Sequence, residues 1–482
     1  MIEAFSAYFG DTVAVLHSGL PLSERYDEWK RIRAGLARVV VGTRSAVFAP
    51  VQELGLLIID EEQEDTYKSE STPRYHARDV AKFRCAQHRA LLLLGSATPD
   101  VVSRYYAETG RYHYFTLPDR FNARKLPDVI IADMKQELRN GNSGSISSVL
   151  YGELEENLRR GEQSILFLNR RGASKIVTCA ECGATYSCPN CSVSLTYHQG
   201  NQMLICHHCG YRIPTPPTCP ECGSPYLKKF GAGTQRVEAE LRVLLDEMPG
   251  VDPGVPIVRM DADTTSGKGA HQRLLEEFAA ADAAVLLGTQ MIAKGLDFED
   301  VTLVGVINAD TMLKLPDYRA SERTFDLVEQ VAGRAGRAEL PGRVLVQTYE
   351  ADAPAIRAAA AYDRALFLRD ELPKRRLLGY PPYVRMANVL VWSKDEPAVR
   401  RVAAELQAAL EEAVRDFGGD GWSVLPATPC VLAKLRGTYR WHIVVKCPAD
   451  ADLSDALLPL FRRRKPDRDA NVAVDVDPDD LL

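Results

Sequence analysis

Short apolar runs alternate with polar, helix-like stretches over about the first 370 residues of the chain. Several of these runs are apolar at almost every position, as are strands buried on both faces of a parallel sheet. The predicted strands are residues 12–16, 38–41, 56–60, 90–94, 164–168, 283–287, 302–307 and 343–347. Polar segments such as 24–36 and 269–281 lie between them and are predicted to be helices. The alternation predicts two doubly wound α/β domains.

The pattern changes at two places along the chain. A stretch rich in Asn, Gly and Ser at residues 140–145 is typical of a hinge between domains. After about residue 373 the order becomes strand, helix, two strands, helix, strand, at residues 386–392, 397–414, 423–432, 439–446, 451–461 and 471–476. That order predicts a ferredoxin-like α+β domain. The expected division is a first α/β domain at 1–117, a linker at 118–147, a second α/β domain at 148–373 and a C-terminal domain at 374–482.

The amino-acid composition excludes few classes of protein. The 482 residues are 46% hydrophobic and 26% charged, which is ordinary for a chain that buries several cores. The net charge of -6 argues against nucleic-acid binding through overall charge, and it leaves binding through a local groove open. The sequence has no run of 18 apolar residues, which a membrane helix would require, and no secretory signal is visible. We therefore expect a cytoplasmic protein with no membrane partner.

Eight of the 11 cysteines fall within 44 positions and form four CxxC pairs. In a long chain without a visible signal peptide, this clustering favours metal over disulfides. A CxxC turn holds two thiolates at about the edge length of a tetrahedron around zinc, so four pairs make two structural zinc sites. The predicted ligands are Cys179, Cys182, Cys188, Cys191, Cys206, Cys209, Cys219 and Cys222, in an insertion at residues 176–228.

The pairing of the four CxxC turns has two solutions. A nested arrangement joins the outer turns to each other and the inner turns to each other, whereas a sequential arrangement joins the first to the second and the third to the fourth. The gap of five residues between Cys182 and Cys188 is short for a ribbon that folds back on itself, which favours nesting. His207 and His208 lie between two of the ligands, and with eight cysteines present we expect them to be bystanders.

Polar strings follow several of the predicted strands. Residues 60–63 (DEEQ) place two carboxylates at the carboxyl end of a strand, where α/β sheets bind ligands. Four other strings are residues 42–46 (GTRSA), 95–99 (GSATP), 288–298 (GTQMIAKGLDF) and 330–337 (QVAGRAGR). In this order the five strings resemble motifs Ib, II, III, V and VI of superfamily 2 helicases. Such a set in register is not explained by isolated acidic or glycine turns.

A closer resemblance is to the PriA family of replication-restart DNA helicases. It is carried by residues 17–20, 42–50, 67–79, 166–172, 230–235 and 321–325. Eight cysteines inserted between the strand end at residue 172 and Phe230 are its most specific sign, and the resemblance covers about residues 1–480. It implies two RecA-like helicase lobes, the first incomplete, with a two-zinc insertion of eight cysteines in the second lobe and an α+β C-terminal domain.

The resemblance also implies a function. It implies an ATP-dependent helicase that moves 3′ to 5′ on DNA, recognises stalled or abandoned forks, and promotes primosome assembly and replication restart. The implied partners are branched and single-stranded DNA, single-strand-binding protein, primosome proteins and the loader of the replicative helicase. The implied cofactors are two Zn²⁺ per chain, with ATP and Mg²⁺ as substrate.

The residues of the implied ATP site fall in both lobes. An aspartate such as Asp60 can hold the magnesium of the nucleotide, and Glu61 can orient or deprotonate the attacking water. Arg334 and Arg337 can reach the γ-phosphate and stabilise transition-state charge. The remaining nucleotide-binding candidates are Gln330, Gly295 and Asp297.

The chain departs from the family pattern at two points. The family has histidine where Gln63 stands, and glutamine keeps hydrogen-bonding capacity but cannot titrate. The family also has a Gly-rich phosphate loop upstream of the segment at residues 17–18, and only 16 residues precede it here. Gly267-Lys268-Gly269 lacks the spacing of such a loop. We therefore expect an unpaired edge in the first sheet, and little activity from these residues alone.

A second class of function fits part of the chain. The zinc module and the C-terminal domain can form a scaffold that binds DNA and primosome proteins without motor activity. Basic residues there either contact DNA or form a solvated rim: Lys374, Arg375 and Arg376, and Lys434, Arg436 and Arg440 with Tyr439 and Trp441. Asp60, Glu61, Arg334 and Arg337 favour motor ancestry, because a scaffold does not need them.

Overall fold

The protein is described by a computed structural model. The description covers all residues except Met1, 118–125, 169–175, Ala180, 199–201, 229–233, 262–263, 266–268, 290–299, 337–341, Gly418, Pro466 and Leu482. The chain divides into two units, Met1–Glu108 and Thr109–Leu482. No helix within the described ranges is both long and apolar enough to cross a bilayer.

The first unit is built from short parallel strand pairs with helices around them. Its helices are α1 (Ile2–Phe9), α2 (Leu22–Arg33), α3 (Ala77–His88) and α4 (Val101–Glu108). Its strands are β1 (Val13–Leu16), β2 (Val39–Gly42), β3 (Leu56–Ile59) and β4 (Leu91–Leu94). β1 pairs with β2 and β3 pairs with β4, both in parallel. The four strands predicted for this region are confirmed.

The two pairs form separate two-stranded sheets among the residues that the structure describes. Each sheet therefore has edges without a described partner strand. One face of the β3–β4 pair packs against Ala77 and Ala81 of α3. The opposite face leaves four side chains 50–73% exposed: Leu56, Ile58, Leu91 and Leu93. This apolar face adds nothing to the core of the first unit.

We expect residues 1–117 expressed alone to be unstable. A two-stranded sheet is marginal in water without further strands, and the outer apolar side chains of β3 and β4 leave at least half of their area exposed. Urea unfolding should show no cooperative transition, and the amides of β1 to β4 should exchange within minutes. Residues 379–481, which have a complete core, are the control and should unfold cooperatively. Cooperative unfolding with slow exchange across β1 to β4 would contradict the expectation.

The second unit carries the remaining elements. Its strands are β5 (Asp128–Asp133), β6 (Gln163–Phe167), β7 (Thr178–Cys179), β8 (Thr196–His198), β9 (Met203–Ile205), β10 (Arg212–Pro214), β11 (Leu227–Lys228), β12 (Ile257–Met260), β13 (Val285–Gly288), β14 (Val301–Val306), β15 (Arg343–Thr348), β16 (Val384–Ser393), β17 (Ser423–Val424), β18 (Thr428–Leu435), β19 (Thr438–Pro448) and β20 (Asn471–Val476). Its helices are α5 (Met134–Arg139), α6 (Ser148–Arg159), α7 (Thr234–Glu247), α8 (Ala270–Ala279), α9 (Asp310–Leu313), α10 (Ala320–Ala332), α11 (Pro354–Ala360), α12 (Arg364–Leu378), α13 (Glu396–Phe417) and α14 (Leu453–Arg463).

A six-stranded parallel sheet forms the centre of the second α/β domain. Its order is β12-β13-β6-β14-β15-β5. Every residue of β6 and β14 is buried, which agrees with the largely apolar sequence of these two strands. Leu150 and Leu154 of α6 and Leu241 of α7 belong to the core on one side of this sheet. The predicted strands of this domain are confirmed, and the sequence analysis missed β5 and β12.

The prediction of a linker at residues 118–147 is wrong for most of the residues in this range that the structure describes. β5 pairs with β15 from Asp128 opposite Arg343 to Asp133 opposite Thr348, and α5 follows it. The predicted hinge at 140–145 is also fixed: the Asn142 amide donates to Glu137 and to the Ile146 carbonyl. An edge strand with four apolar residues between two aspartates gives too weak a signal to be predicted.

The C-terminal domain has the predicted ferredoxin-like order. Its antiparallel strands run β20-β16-β19-β18 across the sheet, and the short β17 also pairs with β19. The first and third main strands are thus central, as in a split βαβ fold. Val402 and Leu406 of α13 and Leu457 of α14 pack with the inner face of this sheet. The expected boundary at residue 374 lies inside α12, because Pro373 does not end that helix.

Candidate functional site

The eight clustered cysteines form two groups of four. Within each group the sulfur atoms all lie within 4.8 Å of one another. The outer group is Cys179, Cys182, Cys219 and Cys222, and the inner group is Cys188, Cys191, Cys206 and Cys209. The nested pairing is therefore confirmed over the sequential one.

The distances fit a tetrahedral metal site. Sγ–Sγ separations are 3.6 Å for Cys179 and Cys222, 3.4 Å for Cys182 and Cys219, and 3.6 Å for Cys188 and Cys209. Four sulfurs at about 2.3 Å from one zinc ion are separated by a little under 4 Å. Burial raises the pKa of the Cys182 and Cys188 thiols to about 12, so these two need a bound cation to become thiolates at neutral pH. The two groups fit two structural Zn²⁺ ions with no open coordination position.

Backbone turns hold the four CxxC pairs in the same conformation. The residue after each second cysteine donates its N–H to the carbonyl of the first, at 2.8–3.1 Å. These residues have φ between 54° and 74°, in the left-handed region: Gly183, Ser192, Gly210 and Gly223. Glycine adopts this conformation without strain, which explains why three of the four equivalent positions are glycine.

Zinc content tests the assignment of the ligands. The wild-type chain should carry two zinc ions, and Cys206→Ser should carry one, because three thiolates and a hydroxyl hold zinc far more weakly. Cys85→Ser is the control, since Cys85 is a buried thiol outside both groups. Native mass spectrometry measures the stoichiometry. Two ions retained after Cys206→Ser would contradict the assignment.

The acidic string at residues 60–63 follows β3 in the first unit, and its members divide into two pairs. Asp60 and Glu61 are exposed at the carboxyl end of the strand. Glu61 has a φ of 48°, and its N–H donates to Asp60 Oδ1 at 3.0 Å. Their carboxylates are thus presented at the edge where α/β sheets bind ligands.

Glu62 and Gln63 are buried and hold this edge in place. Glu62 accepts hydrogen bonds from Arg78 at 2.6 Å, from Ser103 Oγ at 3.0 Å and from the Asp100 N–H at 2.8 Å. Glu62 is therefore a structural carboxylate that fixes the strand end against α3 and α4.

Gln63 connects two of the helicase-like strings. Its Nε2 donates to Glu61 Oε2 at 2.8 Å, and its Oε1 accepts from Ser96 Oγ at 2.5 Å. Ser96 Oγ in turn accepts from the Thr98 N–H at 2.9 Å. The amide thus donates and accepts at once, and it does so at any pH because it has no titratable group.

Replacing Gln63 by leucine should loosen the string at residues 95–99. The substitution removes both hydrogen bonds, and we expect Thr98 to exchange its amide hydrogen about fivefold to tenfold faster, the effect of a net loss of about 1 kcal/mol. Gln52→Leu is the control, because the Gln52 amide donates to the Arg33 carbonyl and, among the described residues, bonds no group in residues 60–63 or 95–99. Unchanged exchange at Thr98 in Gln63→Leu would contradict the proposed connection.

The candidate nucleotide-binding residues of the second unit are only partly described. Gln330 lies in the last turn of α10, and Arg334 follows two residues after the helix end, its N–H bonded to the Val331 carbonyl at 3.0 Å. Both side chains are partly exposed. Arg337, Gly295 and Asp297 lie outside the described residues. The structure thus places Asp60 and Glu61 in one unit and Gln330 and Arg334 in the other.

The start of α10 contains a buried ion network that sequence analysis did not find. Glu322 Oε2 accepts from Arg319 at 3.0 Å and from Arg375 at 2.9 Å, and Arg375 also bonds Glu371 at 2.8 Å. Arg375 is 2% exposed, so its proposed contact with DNA is wrong. Nothing in the run of three basic residues at 374–376 indicates that Arg375, the middle one, faces inward on α12.

His207 and His208 are not ligands, as expected, but they are not bystanders. They are 0% and 1% exposed and bond groups from other parts of the second unit. The sequence offered one weak signal, two adjacent aromatic side chains in a turn that usually faces water.

The second unit combines a helicase-like parallel sheet, an insertion with two groups of four cysteines and a ferredoxin-like C-terminal domain. This combination defines a class of zinc-bearing helicase-type proteins. Three family models match: "Helicase conserved C-terminal domain" at residues 230–339, "PriA DNA helicase Cys-rich region (CRR) domain" at 188–214, and "Primosomal protein N C-terminal domain" at 376–479. The chain is 38% identical to the replication restart protein PriA of Treponema pallidum, over 98% of this chain and 70% of that protein. The chain belongs to the PriA family.

Two further relatives extend the comparison. The chain is 45% identical to the replication restart protein PriA of Bacillus subtilis, over 99% of this chain and 58% of that protein. It is 41% identical to the protein of the same name from Synechocystis, over 100% of this chain and 57% of that protein. The chain thus spans somewhat more than half the length of these two relatives.

Proposed function

We propose that the chain is part of an ATP-dependent 3′ to 5′ DNA helicase that recognises stalled or abandoned replication forks in the cytoplasm and promotes primosome assembly and restart. The observation that carries the proposal is its identity to replication restart proteins along the whole chain. The acidic pair at the end of β3 supports the motor part, because its place at the sheet edge suits a nucleotide site.

The proposed ATP site assigns a role to each candidate residue. Asp60 holds Mg²⁺, which neutralises charge on the phosphates, and Glu61 orients the attacking water. Gln63 fixes the Glu61 carboxylate through its hydrogen bond of 2.8 Å. From the second unit, Arg334 and Arg337 stabilise charge on the transferred phosphoryl group. The nucleotide contacts assigned to that unit are Gln330, Gly295 and Asp297.

The proposed DNA contacts include the β18–β19 hairpin of the C-terminal domain. Lys434 lies 4.4 Å from the centre of the Tyr439 ring and bonds its hydroxyl at 3.0 Å. Arg436 is exposed at the hairpin turn, and Arg440 and Trp441 are partly exposed on β19. Basic groups beside aromatic rings suit phosphates and unstacked bases of single-stranded DNA. The further partners are single-strand-binding protein, primosome proteins and the replicative helicase loader.

A non-motor scaffold is the second candidate. It is favoured by one observation: the two cysteine groups and the core of the C-terminal domain are well formed within these residues. Such a scaffold would bind branched DNA and primosome proteins without hydrolysing ATP.

ATP hydrolysis with and without forked DNA separates the two functions. The protein expressed from its whole reading frame should hydrolyse ATP at least tenfold faster with forked DNA, and Glu61→Gln should lower that rate at least a hundredfold. Glu53→Gln, which changes an exposed glutamate before β3, is the control. Residues 1–482 alone should bind the fork without turnover. Fork binding without any turnover by the whole reading frame would favour the scaffold.

A further inference from the structure

The inner CxxC turn at Cys206–Cys209 differs from the other three in what lies between its ligands. In the other turns the described intervening residues are exposed: Glu181, Pro189, Asn190, Pro220 and Glu221. In the Cys206–Cys209 turn, which we call the histidine knuckle, His207 and His208 are 0% and 1% exposed. A zinc knuckle normally turns this dipeptide to water, so the burial of both residues needs an explanation.

His207 is held by the C-terminal domain. Its Nδ1 lies 2.5 Å from the Pro429 carbonyl, so it must carry the proton and donate. Its carbonyl accepts from Thr428 Oγ1 at 3.0 Å and from His442 Nε2 at 2.5 Å. The other ring nitrogen lies 3.0 Å from His198 Nε2 within the zinc module, and must accept. His207 is thus bonded to β18 and β19 through both side chain and main chain.

His208 faces the opposite way, toward the helicase-type domain. Its Nε2 donates to the Pro316 carbonyl at 3.1 Å, so its Nδ1 accepts from the Tyr380 hydroxyl at 3.0 Å. Tyr380 stacks on Tyr318 with ring centres 4.9 Å apart. One side chain therefore bonds both the loop before α10 and the segment that leads into β16.

These hydrogen bonds depend on the shape of the knuckle. They satisfy the buried carbonyls of Pro316 and His207 and the half-buried carbonyl of Pro429, and a buried carbonyl left without a donor costs about 1–3 kcal/mol. Gly210, which closes the turn, lies so close to the C-terminal domain that a Cβ atom there would be 2.9 Å from Thr428 Cγ2. The main-chain path fixed by Cys206 and Cys209 therefore sets where both imidazoles lie.

We propose that the inner zinc site is an interdomain clamp, in which the histidine knuckle joins the C-terminal domain to the helicase-type domain. Zinc at Cys188, Cys191, Cys206 and Cys209 orders the knuckle, and the knuckle holds the two domains together. By linkage the effect is reciprocal, so contacts made by the C-terminal domain help the inner site to retain its metal. The described intervening residues of the outer site face water, so we assign no such role to that site.

The test measures zinc release from each site after substitutions on both sides of the clamp. Zinc loss to a chelator is followed optically, and alkylation of the freed thiols with peptide mapping shows which group has opened. Thr428→Val lies in the C-terminal domain and removes one donor to the His207 carbonyl. It should speed release from the inner site about fivefold, the factor for one hydrogen bond of about 1 kcal/mol, and leave the outer site unchanged. Thr438→Val, at the start of β19, is its matched control.

The second arm changes the knuckle itself. His207→Ala with His208→Ala should release inner zinc at least tenfold faster, whereas Pro189→Ala should not. Pro189 lies between the two ligands of the other turn of the same site and is exposed. If the double histidine variant does not fold, judged by far-ultraviolet circular dichroism, Thr428→Val decides alone. Equal release from the inner site in Thr428→Val and Thr438→Val would overturn the proposal.

Discussion

Sulfur ligation is the constraint on which the second unit depends most. The strands of the zinc module contain only two or three residues each, and such short ladders bring few hydrogen bonds and little buried area. Two tetrathiolate groups supply the missing cross-links at four turns of one conformation. Without metal, the sulfurs of each group, most of them buried or half-buried, would crowd one another with no cation to bind them, so folding of the module and zinc binding are one process.

The turns of both zinc sites form hydrogen bonds with the loop Lys314–Arg319, which lies directly before α10. Lys314 donates to the Gly183 carbonyl of the outer site, and the Pro316 carbonyl accepts from His208 beside the inner site. The C-terminal tail reaches the same loop, where the Leu481 N–H donates to an Asp317 carboxylate oxygen at 3.1 Å. Because α10 ends beside Arg334, the loop links the zinc module and the tail to the helix that carries candidate ATP-site residues.

Most of the fold could be predicted from the sequence, because buried parallel strands and CxxC turns are local signals. The strands missed were β5, an edge strand of four apolar residues between aspartates, β12, and the two- or three-residue strands β7 to β11 of the zinc module. The zinc ligands follow from spacing alone, whereas the functions of His207, His208 and Arg375 do not. Each has a distant partner, Pro429, Tyr380 and Glu322 respectively, 53 to 222 positions away in the chain, and only the packed structure brings them together. Gln63 is intermediate: its hydrogen-bonding capacity was predictable, its two partners were not.

The central claim is that zinc in the module maintains contacts outside the module. Amide exchange with and without a zinc chelator tests this most directly. We predict that zinc removal raises exchange at Lys314–Arg319 and at Thr428–Leu435 while α6, in the core of the parallel sheet, keeps its protection. The protected α6 excludes general unfolding as the cause. Zinc removal that deprotects only residues 176–228, with both other segments unchanged, would contradict the account.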